Sequence, residues 1–466
     1  MAWGLFCLDY LPLLNRLKST GREVTTLGAV LREPLMNGVF KKPQDSGRGT
    51  KLVNVYDLYA DTIINLDLVN RLDVSADDIR KYAAIAGDIF FTRSSLKLEG
   101  VAWSAYLEDD ITEEAVFECH LIRARANLSR TVPGFISNYA RTSLARAYLI
   151  SRASVTTMST IDQQGIAELP VILPEKPKQI ELLSHLNTVR LKKKRQFKEA
   201  DDLLANLDGF VLDALGITLP SPDSRTVYAV RAMDTQKSKK LYPDYFHPER
   251  IKTIKAIATR YKGSNAPRLI DIAGFIRDQH IVSPADKYLG LANVQPNTGE
   301  RIESTEEDGK GNSFKYIEGD VLFARLRPYL NKVYRAESDG VCSTEFHVIR
   351  VHKDSNNKDQ LIPDYVAAVL RSSLVLSQTR HMMTGNTHPR LTNEDVVNLI
   401  IPNPDWQIQQ RVADEVTQRR EKARQLRSDA ELLWKEAKRR FEEELLGPET
   451  SAKESKTEGK KGGKRK

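Results

Sequence analysis

The side chains in this chain best suited to meet a polyanion come in two sets, each placed just after a repeated segment. Gly87-Asp88-Ile89-Phe90-Phe91-Thr92 is followed by Arg93, Ser94, Ser95 and Lys97, and 232 positions on, Gly319-Asp320-Val321-Leu322-Phe323-Ala324 is followed by Arg325, Arg327, Asn331 and Lys332. A second polar run comes later in each half. It reads Thr156-Thr157-Met158-Ser159-Thr160 in the first and Thr384-Gly385-Asn386-Thr387-His388-Pro389-Arg390-Leu391-Thr392 in the second. Arg and Asn carry the paired donors and acceptors that match base edges, whereas Lys, Ser and Thr suit phosphate and sugar oxygens. Candidate nucleic-acid contacts are therefore Arg93, Ser94, Lys97 and Thr157 in the first half. In the second they are Arg325, Arg327, Asn331, Lys332, Asn386, His388 and Arg390. The Asn/His/Arg group has no counterpart in the first half, so the two halves offer different contacts.

Other chemistry is less well supported. Glu118 with His120, and Glu345 with His347, would share a strand face at period two, as metal ligands do, but neither pair has a third ligand nearby. Duplication accounts for their recurrence. Phe346 stands where Cys119 stands in the repeat, which favours packing over thiol chemistry. Asn403-Pro404-Asp405-Trp406 is faintly similar to the Asn-Pro-Pro-aromatic loop of amino-methyltransferases, without the second Pro and without a Gly-rich loop upstream. There is no P-loop and no nuclease-like cluster of carboxylates with Lys. Lys192-Lys193-Lys194-Arg195 reads as a solvated helix face or a docking patch. No catalytic, cofactor-binding or metal residue is assigned.

A chain of 466 residues has room for two to four domains with cores of their own. It is 41% hydrophobic and 28% charged, which excludes general disorder. Three cysteines make neither a disulfide framework nor a metal pair, and fit a reducing compartment. No secretory signal and no run of roughly 18 apolar residues is present, so a soluble cytoplasmic protein with no membrane partner is expected. The net charge of +8 favours a polyanionic partner. Part of the excess lies in residues 448–466, where seven Lys and Arg face three Glu in a Lys/Gly/Ser/Glu tail expected to be disordered.

The elements that would hold these side chains also recur. Short apolar runs after Gly-Asp read as buried strands, as do Val116 to Ile122 and Glu345 to Val351. Pro363 to Ser373 has helical spacing. Glu118-Cys119-His120-Leu121-Ile122-Arg123 aligns with Glu345-Phe346-His347-Val348-Ile349-Arg350, and Leu169 to Pro174 with Leu399 to Pro404. The lead-ins Asp9-Tyr10-Leu11-Pro12 and Asp244-Tyr245-Phe246-His247-Pro248 match as well. After each Pro-rich stop comes a long charged helix opening on Gln, at Gln179-Ile180 and at Gln410-Arg411-Val412.

In the first helix Leu183, Leu186, Phe197, Ala200, Leu204, Leu207, Val211 and Ala214 fall on three- and four-residue steps, interrupted by Arg190 and Lys193. In the second, Val412, Val416, Ala423, Leu426, Ala430, Leu433 and Ala437 do so, interrupted by Arg419. Such a seam needs a partner stripe, and about 38 residues at 1.5 Å each make a rod of roughly 55 Å. The fold class is α+β, with two tandem domains, each followed by a long helix, the helices forming an antiparallel coiled coil. Expected boundaries are 1–174 and 243–404 for the domains, 175–216 and 405–447 for the helices, 217–242 for a linker and 448–466 for the tail.

This layout resembles the specificity subunit of type I restriction-modification enzymes. The resemblance covers residues 5 to about 446 and rests on the GDIFFTR and GDVLFAR strands, the polar turn 384–392 and the Pro-rich stop before each Gln-started helix. It implies that each domain is a target-recognition domain reading one half of a split duplex DNA site. The coiled coil would set the gap between the halves and dock two methyltransferase subunits, with restriction/translocase subunits where the system restricts. S-adenosylmethionine, magnesium and ATP would belong to those partners, and this chain would be non-catalytic. Two alternatives stay open: a stand-alone DNA adenine methyltransferase or nuclease, and a specificity protein of another DNA-processing defence system.

Overall fold

The computed structural model describes residues 23–40, 46–108, 113–225, 227–238, 241–302, 311–356, 359–382 and 389–446. The lead-in at Asp9, the loop bearing Asn386 and His388, and the basic tail lie outside them. The chain forms two compact units, residues 1–194 with 430–466, and residues 195–429. Each holds one α+β domain together with segments of both long helices.

Both domains are built around the repeated strand. In the first unit, strand Asp88–Thr92 lies between Leu121–Arg125 and Ser104–Tyr106, with Met36–Asn37 at the edge, all antiparallel. In the second, Val321–Ala324 lies between Phe346–Val351 and Val333–Arg335, with Ala273–Ile276 at the edge, again all antiparallel. These strands are uninterrupted apolar runs because both faces are covered. Ile89 and Phe91 face one core, and Phe90 packs with Phe117 and Leu121 in another. Val321 and Phe323 are split from Leu322 and Ala324 in the same way.

The Gly-Asp signature has a local cause. Gly87 and Gly319 take φ +80 and φ +90, a left-handed turn that suits glycine. The following Asp accepts the N–H of the residue three earlier, Ile85 or Ile317, each at 2.9 Å. The same carboxylates meet Arg125 and Arg350, both at 2.7 Å.

That ion pair corrects the sequence alignment of the partner strands. Leu121 pairs with Thr92, and Phe346 with Ala324, so Leu121 corresponds to Phe346 and Arg125 to Arg350. His120 therefore corresponds to Glu345, and Glu118-x-His120 is no repeat of Glu345-x-His347. A slip of two residues leaves every side chain on its original face, so the hydrophobic pattern could not detect it. The strand expected over Val116 to Ile122 is likewise divided. Ala115–Phe117 belongs to a second sheet, a turn closes at Glu118 O with Leu121 N (3.0 Å), and Leu121–Arg125 enters the first.

The first long helix spans Lys176–Ala205 and continues after Asn206 as Leu207–Leu215. Asn206 turns its side chain onto Asp202 O at 3.0 Å, a local competitor for the helical ladder. Gly216 ends the second piece in the left-handed conformation. The second long helix runs unbroken over Trp406–Leu446.

The two helices run antiparallel in each unit. In the first, Lys178 meets Glu444 and Lys193 meets Glu431, both at 2.7 Å, and Leu182, Leu183 and Leu186 share a core with Ala437, Phe441 and Leu445. In the second, Asp201 meets Arg427 at 2.6 Å, and Ala200, Leu204 and Val211 share a core with Val412, Val416 and Leu426. The predicted seam is altered at two positions. Leu433 is exposed, and Trp434, half-buried, packs on the core instead. Arg420, not Arg419, is the buried interruption, because Arg419 turns to Glu415 and the Phe210 ring.

A buried glutamine fastens each domain to its helix. Gln179 Oε1 accepts from Thr131 Oγ1 (2.8 Å) and Val132 N (3.1 Å), and its Nε2 donates to Pro174 O (2.8 Å). Gln409 makes the matching bonds, accepting from Ile362 N (3.2 Å) and donating to Pro404 O (3.0 Å). The repeat glutamine is thus Gln409, one residue before the Gln410 of the sequence alignment. Gln410 is exposed and bonds Asp414.

Candidate nucleic-acid interface

The first-half candidates are gathered at one end of the repeated strand. Leaving it, Arg93 donates its backbone N–H to His120 O (2.7 Å) and accepts from Ile161 N (3.0 Å), which leaves its guanidinium exposed. Ser94–Ser95 then pairs antiparallel with Ser159–Thr160, itself the second arm of a hairpin from Ser154–Val155. Thr157 stands exposed in the bend of that hairpin, while Ser94 is buried beneath it. Lys97 is exposed, its backbone N–H held by Ser95 Oγ at 3.2 Å.

Between them lies a feature the sequence reading missed. Leu96 is 84% exposed and lines a groove of about 640 Å³ with Tyr59, Trp103, Met158 and His120. Trp103 is braced by Arg141 and Arg146, at 4.8 and 5.4 Å from its ring. A lone leucine among polar neighbours carries no signal in sequence. An exposed apolar side chain beside a Lys and an Arg can meet a thymine methyl or a base face.

The second half places Arg325 and Arg390 in the corresponding positions. Arg325 donates its backbone N–H to Glu345 O (2.9 Å) and accepts from Leu391 N (3.0 Å), as Arg93 does with His120 and Ile161. Leu326 bridges to Arg390, the equivalent of the Ser94–Thr160 pair. Arg390 is held by Glu345 through Nε (3.1 Å) and Nη2 (2.9 Å), and this partner raises its pKa further. Arg327 is exposed at φ +49, its backbone N–H on Pro389 O (2.8 Å). The structure thus brings Arg325, Arg327 and Arg390 together. Asn331 and Lys332 are half-buried, and bond Arg371 O (2.6 Å) and Leu291 O (2.7 Å) within the domain's own loops.

His347 lies beneath this basic cluster. Burial, reinforced by Arg325 and Arg277, pushes its pKa down to about 4, so the ring is neutral at pH 7. Its Nε2 is buried with no hydrogen-bond partner among the described residues. The first-half residue at this place is Ile122, an apolar side chain.

Metal-ligand chemistry has one geometrically close set among the described residues, His247, Glu249 and His381. Its atoms are engaged. His247 Nδ1 accepts from Glu249 N (3.3 Å) and its Nε2 meets Arg225 O (3.3 Å). Glu249 takes His381 at 2.9 Å and Arg380 at 3.1 Å, and the two rings stack with centroids 3.4 Å apart. The cluster anchors helix Pro248–Arg260, which packs on helix Ser373–Thr379. Asn403, in the segment faintly similar to a methyltransferase loop, bonds Asn265 O through its N–H (2.8 Å) and Gln409 through its side chain (3.2 Å). Leu173 makes the same backbone bond, to Glu23 O (3.1 Å), in the first half.

No protein-family model and no curated protein matches the sequence. Several solved structures are similar in fold. One comes from work on complex assembly and conformational transition of the type I R-M system, with 13% identity over 91% of this chain and 96% of that one, at a TM-score of 0.47. The HsdS subunit from Thermoanaerobacter tengcongensis has 14% identity over 92% and 97%, at 0.37. The type I restriction-modification S subunit from M. genitalium has 11% identity over 92% and 98%, at 0.44. No helix among the described residues is long and apolar enough to cross a membrane.

Proposed function

We propose that this chain is a non-catalytic DNA-specificity subunit. It binds a split duplex site through two target-recognition domains and directs separate methyltransferase subunits to it. The observation that carries this reading is the duplication of one device. In each half a buried strand ends in an arginine, Arg93 or Arg325, beside a polar hairpin or loop, and a buried glutamine ties that domain to one of two antiparallel helices. Two similar readers joined by stiff rods suit a target with two parts at a set spacing.

On this reading the domains occupy 1–174 and 243–404, and the helices 175–216 and 405–447 act as the ruler and as the docking surface for two methyltransferase copies. S-adenosylmethionine, magnesium and ATP belong to partner chains. The exposed faces of the rods, rich in Lys and Glu, fit a polar partner surface.

Genome-wide adenine methylation in the host, with and without the gene, tests the proposal. Loss of methylation at one split motif supports it; an unchanged methylome together with no sequence preference of the purified protein would sink it. A four-residue insertion after Ala423 adds about 6 Å of helix. It should change the spacer while both half-sites persist, and an unchanged spacer would reject the ruler.

A further inference from the structure

The two halves share a set of ion pairs between helix and domain, and in the second half one of its members has no acceptor among the described residues. Arg190 on the first long helix meets Asp61 at 2.8 Å, and Arg420 on the second meets Glu300. Beside each pair stands an arginine two residues before a serine, the half-buried Arg141 before Ser143 and the buried Arg371 before Ser373. Each serine gives its backbone N–H to a carboxylate of a long helix, Glu442 at 2.8 Å or Asp208 at 2.7 Å. Arg141 and Arg371 are thus the same residue of the repeat.

Their surroundings differ. Arg141 donates to three backbone carbonyls, Ser104 O at 2.6 Å and Leu58 O and Asp61 O at 3.0 Å. The guanidinium of Arg371 has no hydrogen bond or ion pair among the described residues, although the residue is only 7% exposed. Glu300, the one carboxylate among the described residues that acts on it, is taken up by Arg420 and Arg424. Burial pushes Glu300 up, but those two guanidinium groups outweigh it and hold it below the usual carboxylate range. A buried charge without a counter-charge is costly, and a partner is the usual remedy.

Arg371 lines a cleft of about 510 Å³ together with Asn297, Thr298, Ser373 and Arg427. Its two carboxylates are already engaged, Asp201 by Arg427 and Asp208 by Ser373 N. The Ser373 hydroxyl has no partner among the described residues, whereas that of Ser143 donates to Glu442 at 2.7 Å. Burial lowers the pKa of Arg371 to about 10, so it remains a cation at neutral pH.

We propose that this cleft binds a phosphate-class anion, with the Arg371 guanidinium as its counter-charge. The cleft volume suits a mononucleotide or pyrophosphate. The same phosphate chemistry is available from a DNA backbone if the function proposed above holds.

The test uses the full chain in chloride buffer of matched ionic strength, titrated calorimetrically with pyrophosphate, AMP and a 30-base-pair duplex. Arg371→Gln should weaken binding of the small anions by about tenfold or more, the loss of a charge-assisted pair. Arg141→Gln, at the position already filled, should leave it unchanged. If AMP competes with duplex and the variant lowers the salt slope by about one, the anion is a DNA phosphate; if duplex binding is untouched, it is a free anion. Both results support the site. Wild-type anion affinity in Arg371→Gln, or no anion binding with duplex binding unaffected by the variant, overturns it. Should that variant fail to fold, Asn297→Asp decides. Asn297 is exposed at φ +62, which Asp tolerates, and a carboxylate there should weaken anion binding severalfold. Unchanged affinity in Asn297→Asp overturns the proposal too.

Discussion

The end of the repeated strand carries an apolar groove beside Arg93 and Lys97 in the first half and a cluster of three arginines in the second. Around Arg93 stand Ser94, Leu96, Thr157, Met158 and Trp103, whereas around Arg325 stand Arg327, Arg390 and a buried neutral histidine. The scaffold beneath is the same, down to the backbone bonds that Arg93 and Arg325 make. A duplicated frame with exchanged tips separates two tasks. Ion pairs and buried glutamines keep the geometry, and loop side chains are free to diverge.

The scaffold is where the largest effect is expected. Asp88 and Asp320 are both buried, but the Arg125 side chain is 15% exposed and that of Arg350 37%. Asp88→Ala should cost about 3 kcal/mol, the low end for breaking a buried pair, because Arg125 keeps Glu33 and Ala83 O, each at 3.0 Å. Asp320→Ala should cost about half as much or less, because water reaches Arg350. Urea unfolding of the two variants measures this, and equal losses would break the distinction.

A pH titration sharpens the comparison next. His347 takes up a proton in the unfolded chain near pH 6.5 but in the folded unit only near 4, so its contribution is fully present above about 6.5 and is lost as pH falls to about 4. That difference is worth on the order of 3 kcal/mol. His347→Ile, which installs the first-half residue, should flatten the acid dependence of stability across this window. A wild-type slope in the variant would show that the imidazole is not the responsible group.

The tips themselves come next. Arg325→Ala should relax discrimination at one half-site by about 1–3 kcal/mol in a binding selection while the other half-site stays sharp. Lys97→Ala should weaken binding evenly across sequences and lower the salt slope by about one. A Lys97 variant with altered base preference would reverse these roles. Deletion of residues 451–466 should have the smallest effect, a weaker salt dependence with sequence preference intact, read from the same binding assay.

The frame was legible where local chemistry dictates structure. A Gly-Asp turn before a β-branched or aromatic run makes a buried strand whatever surrounds it, and three- and four-residue apolar spacing makes a helix with a stripe. Which arginine interrupts that stripe was not legible. Arg419 and Arg420 are adjacent and chemically alike, and only the position of Glu300 selects Arg420. The one-residue shift from Gln410 to Gln409 has the same origin, since the choice is made by Ile362 N across the domain.

By itself, then, the sequence determined the duplication, the two α+β domains, the long helices and the loops where polar groups gather, because each follows from short-range periodicity and turn chemistry. The tertiary structure alone decided the register of the repeat, the exposure of Leu96, the neutrality of His347 and the lack, among the described residues, of an acceptor at Arg371. Those depend on which groups distant segments bring within hydrogen-bonding reach, and on how much water they exclude. Identical residues in a repeat, such as Arg141 and Arg371, can therefore be satisfied in one half and left open in the other.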